Sequence, residues 1–178
     1  MALVMALDPG LRGCGAAVYL DGVLQYARYV SNPVRVERGP PAWRMMARGV
    51  LAACPLAPDV LVLEGQYVSP RANPADILEL CGVIGAITGA FDERARDIIR
   101  YLPNQWTGGV EKNERIVRLQ SELTAEELSR FEMPTKSLQH NVFDAASLGM
   151  FEVRKRGERA SNDDYDDEGS EGDESAID

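Results

Sequence analysis

An α/β fold built on a mixed sheet of five strands, the first three antiparallel and helices on the flanks, is predicted by three observations. Two aliphatic runs, Ala2 to Leu7 and Val60 to Leu63, are continuous rather than alternating. That pattern marks strands buried on both faces. Asp21-Gly22 separates two apolar segments and supplies the positive φ angles of a tight hairpin turn, which makes the opening strands antiparallel. Segments of helical periodicity then lie between and after the later strands.

Taken in order, residues 2 to 8 form the first strand, 15 to 20 the second and 23 to 30 the third. Pro40-Pro41 precede a helix whose apolar face is Trp43, Met46, Ala47, Val50, Leu51 and Cys54, ending before Pro55 and Pro58. Strand four is Val60 to Glu64. Asn73-Pro74 reads as a cap followed by proline at the first helical position, and the helix it opens presents Ile77, Leu80, Cys81, Ile84, Ile87 and Phe91. Gly82, Gly85 and Gly89 lie within that helix; each costs about 1 kcal/mol relative to alanine, so close approach to another backbone is expected. Packing within the chain is favoured over a dimer contact. Residues 97 to 102 form the fifth strand. Asn113 caps a helix to about Leu123, Thr124 and Glu127 make a capping-box pattern, and Ser137 to Arg154 is the last long helix.

A chain of 178 residues with 45% hydrophobic content supports one domain with its own core, assigned to residues 1–157. The net charge of −9 argues against a nucleic-acid partner only until it is located. Residues 158–178 hold ten acids and one arginine, leaving the remainder with 18 basic and 18 acidic residues. The body is neutral and the acidity is a tail. With almost no apolar residues, that tail cannot offset the entropy of ordering and is expected to be disordered; competing with nucleic acid for the body's basic residues is a role open to it. Three cysteines without CxxC spacing argue against a disulfide framework or zinc site and for the cytoplasm. No apolar stretch reaches the roughly 20 residues of a membrane span, so no membrane partner is expected, and there is no signal-peptide pattern.

Chemistry concentrates at three acids. Asp8 stands where the first strand breaks into Pro9-Gly10-Leu11-Arg12-Gly13, Glu64 ends the fourth strand before Gly65, and Asp144 lies on the last helix with His140 and Asn141 one turn behind it. Mg²⁺ takes oxygen ligands and keeps several waters, so a phosphodiester-cutting site needs carboxylates converging from different elements. Asp8 is also compatible with an ordinary turn, and Asp144 with an ordinary surface acid. Glu64 is harder to dismiss, because a charge closing an aliphatic strand is rarely left unpaired.

Asp8-Pro9-Gly10 with Gly13 and Gly15 resembles the first-strand motif of the RuvC-type Holliday-junction resolvases, in the RNase H-like superfamily. Glu64-Gly65-Gln66-Tyr67 resembles that family's second acidic position and following aromatic, and Leu80-Cys81-Gly82-Val83-Ile84-Gly85 its glycine-containing helix. Glu111 to Val117 resembles its lysine-containing helix start, and Asp144-Ala145-Ala146-Ser147-Leu148 its final motif. The resemblance runs in order over about residues 3 to 152. It implies a homodimer that cuts a four-way DNA junction symmetrically with Mg²⁺ or Mn²⁺, two ions per site, leaving 5′-phosphate and 3′-hydroxyl ends. Asp8, Glu64 and Asp144 would ligate metal, Lys112 would sit near the scissile phosphate, and Tyr67, also readable as a core tyrosine, would stack on an unpaired base.

This chain departs from the family pattern twice. Asn141 stands where the family often has an acid, with His140 just before it; both are open as a fourth site residue and His140 is favoured, imidazole suiting Mn²⁺ or proton transfer. Thr107 stands where a lysine is expected. Arg12, Arg71, Arg115, Arg118 and Lys136 are candidates for DNA-backbone contacts, each also readable as a solvated charge.

Competing functions are separable in part. Sugar-kinase and actin-like ATPases open on a similar strand and hairpin, but need two lobes where this chain has length for one, and there is no P-loop, so no nucleotide cofactor is expected. An RNase H-like nuclease for flaps, other branched DNA, RNA or RNA–DNA hybrids remains an alternative. So does a junction-binding protein that does not cut. The expected setting is a bacterial cell, or one infected by a virus.

Overall fold

The strand pattern does most of the work of positioning the acids. In a computed structural model, which describes residues 2–32, 38–66 and 73–166 with side chains as far as residue 158, β1 (Leu3–Pro9), β2 (Gly13–Leu20) and β3 (Val23–Ser31) form an antiparallel meander. Asp21 and Gly22 take the expected positive φ angles, 49° and 83°. On the other side of β1, β4 (Val60–Glu64) and then β5 (Asp97–Tyr101) join in parallel. The hydrogen-bonded order is β5-β4-β1-β2-β3-β6.

Side chains alternate across a strand, so the sheet divides its residues by parity. Val4 and Ala6 of β1, Val60 and Val62 of β4, and Ala17 and Tyr19 of β2 join one core, with Val142, Ala145, Ala146 and Leu148 of α6 (Gln139–Asp166). Met5, Leu7, Leu61 and Leu63 join the other, with Met46 and Val50 of α1 (Pro40–Ala53) and Val83, Ile87 and Phe91 of α2 (Pro74–Phe91). The sheet is therefore covered on both faces, which is why β1 and β4 read as unbroken aliphatic runs.

The helix starts have local causes. Asn73 accepts a hydrogen bond from the Ala75 amide at 3.0 Å, and Thr124 and Glu127 form the reciprocal capping box of α5 (Ala125–Ser129). Glu127 also accepts from the Leu24 amide at 2.9 Å, tying α5 to the sheet edge. The helix expected to be capped by Asn113 instead begins at Lys112 (α4, Lys112–Glu122). Gly108 and Gly109, at φ 61° and 73°, turn the chain just before it, so Asn113 falls inside the first turn.

Other expectations are corrected. The sheet has six strands rather than five: β6 (Phe131–Glu132) adds in parallel to β3, two residues being too short to show periodicity. A one-turn helix, α3 (Pro103–Trp106), follows β5. The last helix is preceded by a 3-10 turn at Lys136–Leu138 and continues to Asp166 rather than ending near Arg154, so helix extends into the first residues of the segment assigned to a disordered tail.

Of the three α2 glycines, only Gly82 meets a neighbour, and that neighbour is the ring of Trp43 on α1 rather than a backbone. The Trp43 indole N–H donates to Glu79 at 2.7 Å, clamping the two helices. Gly85 and Gly89 face open space. Contrary to the reading of apolar stretches, α2 is by length and composition long and apolar enough to cross a membrane. Here one of its faces, through Val83, Ile84, Ile87 and Phe91, lies in the core.

Candidate active site

Asp8 and Glu64 have the parity of the α6-side core, one step beyond Val4–Ala6 and Val60–Val62. Since Leu7 pairs with Leu63, the two carboxylates leave adjacent parallel strands at the same level and on the same face. Directly across β2, Asp8 is in register with Gly15. A Cβ on Gly15 would land on the backbone carbonyl of Asn141, so α6 rests its own backbone on β2 at that point. Asp144 follows one turn later and comes down beside the strand acids.

The electrostatics record this convergence. Burial pushes the Asp8 carboxyl well above the ordinary aspartate value, reinforced by the negative charges of Glu64 and Asp144 and by a side-chain hydrogen bond with Glu64; Lys112 offsets part of this. Glu64 is also raised, by burial and then by Asp144, while the bond to Asp8 and the charges of Arg115 and Lys112 oppose the shift. Two carboxyl groups that close cannot both ionise freely, and they titrate as a pair.

Asp144 is held differently. Lys112 Nζ donates to its Oδ2 at 2.6 Å and Arg115 Nη2 to its Oδ1 at 3.4 Å. Lys112 and Arg115 are three apart on α4 and share a helix face. The Arg115 guanidinium in turn lies 4.7 Å from the centre of the Trp106 ring. Among the described residues no group of three or more His, Cys, Asp and Glu side chains stands ready to hold a metal ion. The cause is visible: both Asp144 oxygens are turned to cations, and Asp8 and Glu64 are bonded to each other. The donor chemistry nevertheless fits a hard divalent ion, since it consists of oxygen alone from three separate elements, and the mutual repulsion of Asp8 and Glu64 is what a cation would relieve.

The remaining candidates are placed as follows. His140 is exposed and is not among the groups acting on Asp8 or Glu64. Asn141 is half-buried, and its backbone carbonyl is what packs on Gly15. Arg12 is exposed near Tyr29; Arg118 and Lys136 are exposed. Thr107 follows Trp106 and its hydroxyl accepts weakly from the Gly109 amide. Tyr67 and Arg71 lie outside the described residues. Sequence reasoning assigned Arg115 to DNA and did not find its bond to Asp144 or its stacking on Trp106; its spacing of three from Lys112 was the available signal.

No protein-family model matches the chain, and no curated protein matches it in sequence. Solved structures do. RuvC of Thermus thermophilus in complex with a Holliday-junction substrate superposes with a TM-score of 0.64 at 16% identity, over 88% of this chain and 96% of that one. A second Thermus thermophilus RuvC structure gives 0.62 at 19% identity, with the same coverage. The yeast mitochondrial Holliday junction resolvase Ydc2 gives 0.58 at 10% identity, over 91% of this chain and 83% of that one. The chain therefore shares the fold of these RuvC and Ydc2 structures.

Proposed function

We propose that this protein is a structure-selective DNA endonuclease that resolves four-way junctions as a homodimer, with Mg²⁺ or Mn²⁺ held by Asp8, Glu64 and Asp144. The observation that carries this reading is the convergence of those three acids: Asp8 and Glu64 leave adjacent strands at one level and are hydrogen-bonded to each other, and the charge of Asp144 acts on both. Likeness of fold to resolvases supports the substrate. When bound, the ions supply charge stabilisation to the attacking and leaving oxygens of an in-line displacement.

The chain's own groups do the rest. In the resting protein Lys112 and Arg115 neutralise Asp144 and keep its carboxylate aimed into the site. Lys112, more exposed than Arg115, is the cation free to turn toward a phosphate and offset charge developing there. His140, one turn before Asp144, and Asn141 beside it are kept as fourth-residue candidates. The free cysteines Cys14, Cys54 and Cys81 accord with action in a reducing compartment such as the cytoplasm. Two symmetric cuts need two sites, and the outward face of α2 is assigned to the second copy: Leu78 is 70% exposed there, beside exposed Cys81 and the open Gly85 and Gly89.

The test compares a four-way junction, a duplex, a flap and an RNA–DNA hybrid under Mg²⁺ and under Mn²⁺. Paired symmetric nicks on the junction are expected. Asp8→Asn, Glu64→Gln and Asp144→Asn should each lower cutting by at least about 10²-fold while junction binding persists. Preferential cleavage of the hybrid or flap would replace the substrate, and binding without cutting by the unaltered protein would replace the activity.

A further inference from the structure

A cavity of about 160 Å³ opens between α4 and α6, lined by Arg115 but not by Asp144. Trp106, Met150 and Phe151 give it apolar walls, and Ser147 contributes a hydroxyl. Arg118 and Arg154 line it together with Arg115. Its one acid, Glu122, is already paired with Arg154.

Hydrogen bonding at the cavity is unbalanced in one direction. Trp106 is 8% exposed, and among the described residues its indole N–H has no hydrogen-bond partner; Arg115 Nε and Nη1 are buried and find none there either. All three are donors and both residues line the cavity, and unmade buried donors are costly. A ligand that completes them brings acceptors. The flat apolar walls favour a planar group, and the surplus of arginine favours one carried on a phosphate backbone.

Position narrows the ligand further. Ser147 follows Asp144 by three residues on α6, so the cavity begins about one helical turn beyond the third acid. Arg115 belongs to both places, bonded to Asp144 and stacked on Trp106. We infer that this cavity receives an unstacked nucleobase of the cut strand, close to the scissile phosphate. A carbonyl-bearing base edge meets the donors of Trp106 and Arg115, and Arg118 meets the neighbouring phosphate. The inference rests on the nuclease reading and adds to it a determinant of where the strand is cut.

The chain has two tryptophans, so in full-length Trp43→Phe protein the fluorescence reports Trp106 alone. Titration with thymidine tetranucleotide, without divalent ions, should quench it saturably, and a tetranucleotide with abasic sites should bind about tenfold more weakly. Ser147→Phe, which fills the cavity, should abolish the quench. Arg118→Ala, an exposed change that leaves folding intact, should weaken binding of both oligonucleotides several-fold, and thymidine monophosphate should bind more weakly than the tetranucleotide. Absence of quenching, or equal quenching by the abasic strand, overturns the inference even in a protein that cuts junctions. Quenching with the expected pattern in a protein that cuts none of the four substrates leaves a base-binding cavity standing and removes both the nuclease reading and the placement beside a cut.

Discussion

At the scale of single residues, Gly15 decides whether the third acid reaches the other two. Its missing Cβ is the space that the Asn141 carbonyl occupies, so Gly15→Ala should push the start of α6 off the sheet. Overpacking of this kind costs about 1–3 kcal/mol. Thermal unfolding should record that loss, and cutting should fall far more than stability, because Asp144 moves with the helix. Asp8 gives a second prediction with a definite sign. Its folded-state pKa lies above the unfolded value, so the proton it binds stabilises the fold at low pH, and that contribution is lost as pH rises from about 4 through the raised value. In EDTA the melting temperature should therefore decline over that window, and Asp8→Asn should flatten the decline and exceed the parent protein at neutral pH. A steeper decline in the variant would show that the repulsion among the acids is not what destabilises the site. Arg115, read from sequence as a DNA contact, is also bonded to Asp144, because its spacing of three from Lys112 puts both on one face of α4.

Among the elements, α2 behaves differently from the other long helices. Its buried residues Val83, Ile84, Ile87 and Phe91 account for one face, and Trp43 fills the notch at Gly82. The opposite side carries Leu78 and Cys81 into solvent. If this side joins two copies, Leu78→Glu should convert a dimer to a monomer in light scattering without lowering the melting temperature of the folded unit, since that side chain is largely exposed among the described residues. A dimer unchanged in mass would move the interface elsewhere. Cap residues at Asn73 and Thr124 were readable because their spacing is local. β6 was not, since its two residues become a strand only by finding the edge of β3.

For the whole molecule, the partition of charge sets up the last prediction. Residues 1–157 hold equal numbers of basic and acidic residues, whereas residues 167–178 carry six acids and no Lys or Arg. Removing them should tighten junction binding several-fold at low salt, with the difference disappearing toward about 0.15 M, where the Debye length is roughly 8 Å. Equal affinity of the two forms at low salt would dismiss competition by the tail. Parity and turn chemistry, both written into neighbouring residues, determined the antiparallel opening of the sheet, the aliphatic strands and the presence of Asp8 and Glu64 at strand ends, because alternation of side chains is a property of the chain itself. Only the tertiary structure decided that both acids share the α6 face at one level, that α6 settles on Gly15, and that Asp144 is held by Lys112 and Arg115. Those outcomes depend on strand register, on the backbone approach of Gly15 and Asn141 and on the docking of α4 against α6, all between segments distant in sequence, and no local pattern encodes the distance across which they meet.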